Sequence, residues 1–143
     1  TGADQIVRVC GDNPLICASE IDRLVGFFEI ESCDYAYNHI PLESRYPDGL
    51  GAEICSMQLL EEIQKKVIIP EHREHLFNFI WHNKANYTIK TFDPPDEIAF
   101  PELKLDLDTT DDYHRLLEKP YQINMSATDI VAMALKHKVK PIK

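Results

Sequence analysis

Two apolar runs far apart in the chain each end on an aspartate, and that pairing limits the folds open to it. Ile6-Val7-Arg8-Val9-Cys10-Gly11 leads to Asp12, and Leu103-Lys104-Leu105-Asp106-Leu107 leads to Asp108. Each run is followed by a turn and a helical pattern, the edge at which an α/β sheet presents its ligands. Brought together, two such carboxylates would hold one hard divalent cation against a phosphate. Strand alternation predicts Asp106 and Asp108 on one side, with Leu105 and Leu107 opposite. A lone aspartate after a strand is more often a turn or a helix cap. Gly11, Asn13 and Pro14 make the first loop look more organised than that. At the second, Thr109 or Thr110 as a cap with Asp111 and Asp112 complementing the helix dipole explains Asp111 better than Asp108.

The segments between these runs alternate in type. Strand patterns cover residues 5–10, 35–38, 52–55 and 86–92, in addition to the run ending at Asp108. Ser19 with Asp22 is a plausible capping pair for a helix through about Phe28, and Ser56 caps one bearing Leu59, Leu60 and Ile63. Glu71 to Trp81 reads as a helix, as does the stretch from Asp108 to about Glu118, and a last helix runs near Ser126 to His137. Strands alternating with helices favour an α/β sheet with helical cover. At 143 residues the chain can form one domain with a real core. Residues 1–119 are expected to form the main body, and 120–143 a helical extension.

Charge narrows the partners. The formal net charge of -9, from 24 acidic and 15 basic residues, argues against general binding to nucleic acid or an anionic membrane. A small phosphorylated ligand stays possible, because a metal and a few cationic groups can invert the local field. The four cysteines show no CxxC spacing, and Cys10 reads as a buried free thiol. With no signal peptide or long apolar run, the expectation is a cytoplasmic protein. The chain opens at Thr1 without a methionine, which points to a processed or truncated polypeptide.

The loop Arg45-Tyr46-Pro47-Asp48-Gly49-Leu50-Gly51-Ala52-Glu53 specifies a tight turn at Pro-Asp-Gly. Arg45 could pair with a substrate carboxylate or phosphate, and Asp48 or Glu53 could grip hydroxyls; a plain surface loop is the competing reading. Glu71-His72-Arg73-Glu74-His75 holds His-x-x-His without a third ligand in register. It is better read as a helix start whose Arg73 or His75 faces a polyanion than as a zinc site. His39, His82, His114 and His137 carry no pattern that lifts them above structural residues.

Four ordered blocks carry a family resemblance. Arg8-Val9-Cys10-Gly11-Asp12-Asn13-Pro14-Leu15-Ile16 resembles the RVTGDCPLI-type segment of cytidylyltransferases, nearest to the subfamily named for spore coat polysaccharide biosynthesis and related to enzymes making CMP-activated acidic sugars. Tyr46-Pro47-Asp48-Gly49-Leu50 resembles its FPDGLD segment, Arg73-Glu74-His75 its REHV segment, and Leu107-Asp108-Thr109-Thr110-Asp111-Asp112-Tyr113 its VDTPEDF segment. The resemblance implies a Rossmann-like nucleotide-diphosphosugar transferase fold and transfer of a cytidylyl group from CTP to a sugar, with magnesium and release of pyrophosphate. It implies Asp12 and Asp108 as the catalytic, metal-binding pair, Arg8 supporting that site, and Asp48, Glu53, Arg73 and His75 on the acceptor-sugar side. Family members commonly form homodimers. Two substitutions depart from the pattern: Gly51 replaces an acidic residue, and Thr110 a proline. The N-terminal nucleotide-binding signature is absent, so the chain resembles the C-terminal part of such an enzyme. A non-catalytic sugar- or protein-binding α/β module of this family is the alternative, and a UTP- or GTP-using transferase is a third reading.

Overall fold

The computed structural model describes residues 2–67 and 77–136. Four strands form one sheet: β1 (Gln5–Arg8), β2 (Tyr35–Tyr37), β3 (Glu53–Ser56) and β4 (Ile89–Lys90), in the order β1-β3-β2-β4. β3 pairs antiparallel with both β1 and β2, and β4 joins β2 in parallel. The register sets Arg8 opposite Glu53 on one side of β3, and Tyr37 opposite Glu53 on the other. The sheet is therefore mixed and largely antiparallel.

Period-two alternation along β2 and β3 divides the interior into two faces. Ala36 and Ile54 meet Leu24 of α1 (Ala18–Ile30) on one face. Tyr35, Tyr37 and Cys55 face α2 (Met57–Lys66) and α3 (Asn78–His82) on the other, against Leu59, Ile63, Phe77 and Ile80. The second face is aromatic: Trp81 meets Tyr35 and Tyr37 edge-on, with ring centroids 5.8 and 5.3 Å apart. A third cluster lies beyond the sheet. There α5 (Ala127–Leu135) buries Ala127, Ile130 and Val131 against Tyr46, Leu50, Leu103 and Leu105.

Local signals placed several elements well. The hydroxyl of Ser56 accepts from Leu59 N at 3.1 Å and starts α2. Thr109 and Asp112 form a reciprocal capping box on α4 (Thr110–Leu117), and Ser126 caps α5. Other expectations need correction. α1 starts at Ala18, with Cys17 as N-cap and no side-chain cap, so Ser19 lies inside the helix. Its entry is fixed instead by Cys17 N–H donating to Leu50 O at 3.0 Å. The strand pattern of 86–92 yields only Ile89–Lys90.

The run ending at Asp108 is not a sheet strand. It makes one isolated parallel bridge, Lys104 to Asp48, in which Asp48 N donates to Leu103 O and Leu105 N to Asp48 O, both at 3.0 Å. Gly49 follows at φ 93°, and this turns the chain away before a second bridge can form. Side-chain alternation still holds there: Leu103 and Leu105 enter the apolar cluster, while Lys104, Asp106 and Asp108 meet on the other side. The helix expected over Glu71 to Trp81 is seen only as Asn78–His82, because its first part lies outside the described residues.

Candidate active site

β1 ends at Arg8, so Asp12 sits in a turn beyond the strand rather than at its end. Asn13 N donates to Cys10 O at 3.2 Å and closes that turn. Leu107 N then donates to Asp12 O at 2.8 Å, which joins the Asp12 loop to the Asp108 loop across the molecule. Both aspartates are exposed there, and the Asp12 carboxylate has no hydrogen-bond partner among the described residues.

Asp108 is held differently. Its Oδ2 lies 2.7 Å from Lys104 Nζ, which also reaches Asp112 Oδ2 at 3.1 Å and Asp106 Oδ1 at 3.9 Å. Asp112 in turn accepts from Thr109 and from Arg115 Nη2 at 2.8 Å. With Arg115, Thr109 and Lys104 all bonded to it, Asp112 is held well below the usual carboxylate range. Asp112 is thus fully engaged as helix cap and ion-pair partner, while Asp108 projects past it.

Asp48 brings the third loop in. Gly49 N donates to His39 O at 2.9 Å, and a Cβ at Gly49 would lie 2.8 Å from Asp106 N. That close approach requires glycine and packs Asp48 near Asp106 and Asp108. Burial pushes the Asp48 carboxyl up to about 6, and Asp106 and then Asp108 add to the shift against His39 and Lys104. Asp106 is also raised, again chiefly by burial, and its Oδ1 makes no hydrogen bond.

Glu53 completes the arrangement from the centre of the sheet. It is 5% exposed, and its Oε1 lies 2.9 Å from Arg8 Nη1 and 3.0 Å from His39 Nε2. Cys10, His39, Glu53, Arg8 and Asp12 share a cavity of about 450 Å³, closed at its apolar end by Trp81. Cys10 is only half-buried, which corrects the buried-thiol expectation. Burial pushes its thiol up; Arg8 opposes that, while Glu53, Asp12 and Asp48 add to it.

The structure thus places Arg8, Asp12 and Glu53 on one cavity, with the Asp48 and Asp108 loops next to it. Arg73 and His75 lie outside the described residues. Arg45 is turned away and engaged by Asp93 and Asp96, at 3.1 and 2.9 Å. The residue patterns gave no hint of His39 or Lys104 as site groups. His39 has no motif around it; its place comes from the Gly49 contact. Asp106 stands beside Asp108 as strand alternation predicts, and Lys104 shares their parity.

The acidic cluster fits a hard dication. An ammonium group already bridges three of its carboxylates, Asp106 Oδ1 has that distant ion pair and no hydrogen bond, and Asp48 resists ionisation beside its neighbours. Further positive charge would be stabilising there.

No family model matches the chain. In fold it is similar to a cytidylyltransferase from Leptospira borgpetersenii, with a TM-score of 0.76 and 27% identity over 93% of this chain and 56% of that one. The chain is a structural relative of the cytidylyltransferases. In sequence it is 25% identical to the spore coat polysaccharide biosynthesis protein SpsF of Bacillus subtilis, over 78% of this chain and 45% of SpsF. An uncharacterized protein of Methanocaldococcus jannaschii is 29% identical over 89% of this chain and 50% of its own. The chain spans about half the length of the relatives it matches. A cytidylyltransferase-like α/β fold thus accounts for the mixed sheet and for the loops gathered at one end of it. No helix among the described residues is long and apolar enough to cross a membrane.

Proposed function

We propose that this cytidylyltransferase-like chain contributes the metal and acceptor side of an enzyme that transfers a cytidylyl group from CTP to a sugar, releasing pyrophosphate. The observation that supports the reading is the Leu107–Asp12 backbone bond, which joins the Asp12 and Asp108 loops from opposite ends of the chain. Asp12 and Asp108 would hold magnesium, which when bound neutralises phosphate charge and helps align the reacting groups. The acceptor oxygen displaces pyrophosphate at the α-phosphorus, so no enzyme nucleophile is needed.

The chain's own residues divide the remaining work. Arg8 offers the guanidinium of the groove, fixed by Glu53 at 2.9 Å, for electrostatic support of an anionic ligand. Asp48 and Glu53 supply acceptors for sugar hydroxyls, and the hydrogen bond from Gly49 to His39 O holds the Asp48 loop in place. Lys104 acts as an internal counter-ion, keeping Asp106, Asp108 and Asp112 together when no ligand is present. Arg73 and His75 belong to the acceptor side by resemblance alone.

The test is pyrophosphate release from CTP with acidic sugars by the complete protein and by its Asp12→Asn and Asp108→Asn variants. The expected result is a drop of about a hundredfold or more in turnover for each, comparable to removing one electrostatic stabiliser. The far-ultraviolet circular dichroism should be unchanged. Normal magnesium-dependent turnover in both variants would end the assignment.

A further inference from the structure

We propose that Cys10, His39 and Glu53 form a second metal site, selective for zinc, within the groove. Each offers one ligand atom, and these atoms lie within 4.8 Å of one another. They come from three separate places: the turn after β1, the segment after β2, and the first residue of β3. The spacing is therefore a product of the fold, fixed by the Arg8–Glu53 register and by Gly49 N–H on the His39 carbonyl.

The donor set has its own selectivity. Thiolate, imidazole and carboxylate together suit zinc or cobalt, whereas magnesium prefers the oxygen-only surroundings of Asp12 and Asp108. His39 and Glu53 are 8% and 5% exposed, and each keeps a buried atom without a hydrogen bond, His39 Nδ1 and Glu53 Oε2. Buried polar atoms are normally paired, so two orphans beside a cysteine indicate capacity reserved for a ligand. Charge balances as well. A thiolate and a carboxylate neutralise the dication, and Arg8 on Glu53 steadies the carboxylate as outer-shell partners do. Three protein ligands opening on a cavity leave a fourth position for water or a ligand oxygen.

The inference does not depend on nucleotidyl transfer and is tested without an activity assay. Metal-stripped protein is titrated with Co²⁺ alone, and the near-ultraviolet thiolate-to-cobalt charge-transfer band is followed, with Zn²⁺ then used to displace it. The expected result is one band that Zn²⁺ abolishes, and its loss in Cys10→Ser together with a more than tenfold weaker zinc affinity, roughly the scale of losing a ligand-shell group. A second readout needs no variant: iodoacetamide labelling mapped by peptide. Zn²⁺ should slow labelling of Cys10, Mg²⁺ should not, and half-buried Cys33 serves as the internal control. Cobalt binding without a thiolate band, a band unchanged in Cys10→Ser, or Cys10 labelling indifferent to Zn²⁺ would overturn the site.

Discussion

Gly51 stands where the resembling family carries an acidic residue, and the structure shows why that residue cannot simply be restored. A Cβ at Gly51 would lie 2.6 Å from Asn38 Cγ, and closer still to Asn38 Oδ1 and the Asn38 backbone carbonyl. Asn38 cannot swing aside cheaply. It is fully buried, its Nδ2 donates to Glu20 O at 2.8 Å, and its Oδ1 accepts from Ala52 N at 2.9 Å. Overpacking of this kind costs about 1–3 kcal/mol, and breaking one or both buried bonds adds about 1–3 kcal/mol each. Gly51→Ala should therefore lose about 3–5 kcal/mol in urea denaturation, a large share of a domain's total stability. Gly51→Asp should be worse, because it also buries a charge. Removing the Asn38 side chain as well leaves the clash with its backbone carbonyl, so the double variant Asn38→Ala, Gly51→Ala should stay at least about 3 kcal/mol below the wild type. If Gly51→Ala lies within about 1 kcal/mol of the wild type, the close-approach argument is wrong. If the argument holds, Asn38 occupies the space of the missing acidic side chain, and acceptor recognition has to rest on neighbours such as Asp48 and Glu53.

Asp48 gives a pH signature in metal-free protein. Its folded carboxyl is raised to about 6, above the unfolded value, so its contribution is fully present below about pH 4 and is lost as pH rises through about 6. The full shift would be worth about 3 kcal/mol, and solvent screening of this part-exposed group reduces it to about 1 kcal/mol. Asp48→Asn should flatten the urea-midpoint profile by that amount between these values; parallel profiles would refute it. Thr109→Ala removes the oxygen that accepts from Asp112 N at 3.2 Å and should cost about 1 kcal/mol by thermal unfolding, as other N-cap losses do. An unchanged melting temperature would show that the capping box contributes nothing.

Legibility in the sequence followed the range of the interaction. Ser56 and Thr109 could be read as caps because each acts on an amide three residues away, as Ser126 also does at the start of the last helix. β3 could be read because Ile54 and Cys55 are buried by adjacent layers, and β1 from its apolar run alone, since Ile6 is only half-buried and Val7 is exposed. The run 103–108 looked like a strand for the same local reasons, yet among the described residues it bridges only Asp48, and Gly49 ends the pairing at once. Asp12 and Asp108 were expected at paired strand ends, whereas turns and one backbone bond hold their loops together. His39 was illegible because its role depends on contacts with Glu53 and Gly49, and no spacing in the chain encodes them.

The chain's negative charge is unevenly committed, and that unevenness bears on how the groove works. Asp112 is fully engaged by Thr109, Lys104 and Arg115, and Asp93 and Asp96 are held by Arg45. Asp12 and Asp48 have no ion pair among the described residues, and Lys104 is shared by Asp106, Asp108 and Asp112. A polyphosphate approaching such a surface is repelled until a cation intervenes. If the proposed function holds, nucleotide chemistry beside these carboxylates would need a bound metal. Lys104 would have to release Asp108 when a metal enters. Lys104→Met should then tighten magnesium binding while loosening the metal-free α4 start, whereas weaker magnesium binding would place Lys104 on the ligand side instead.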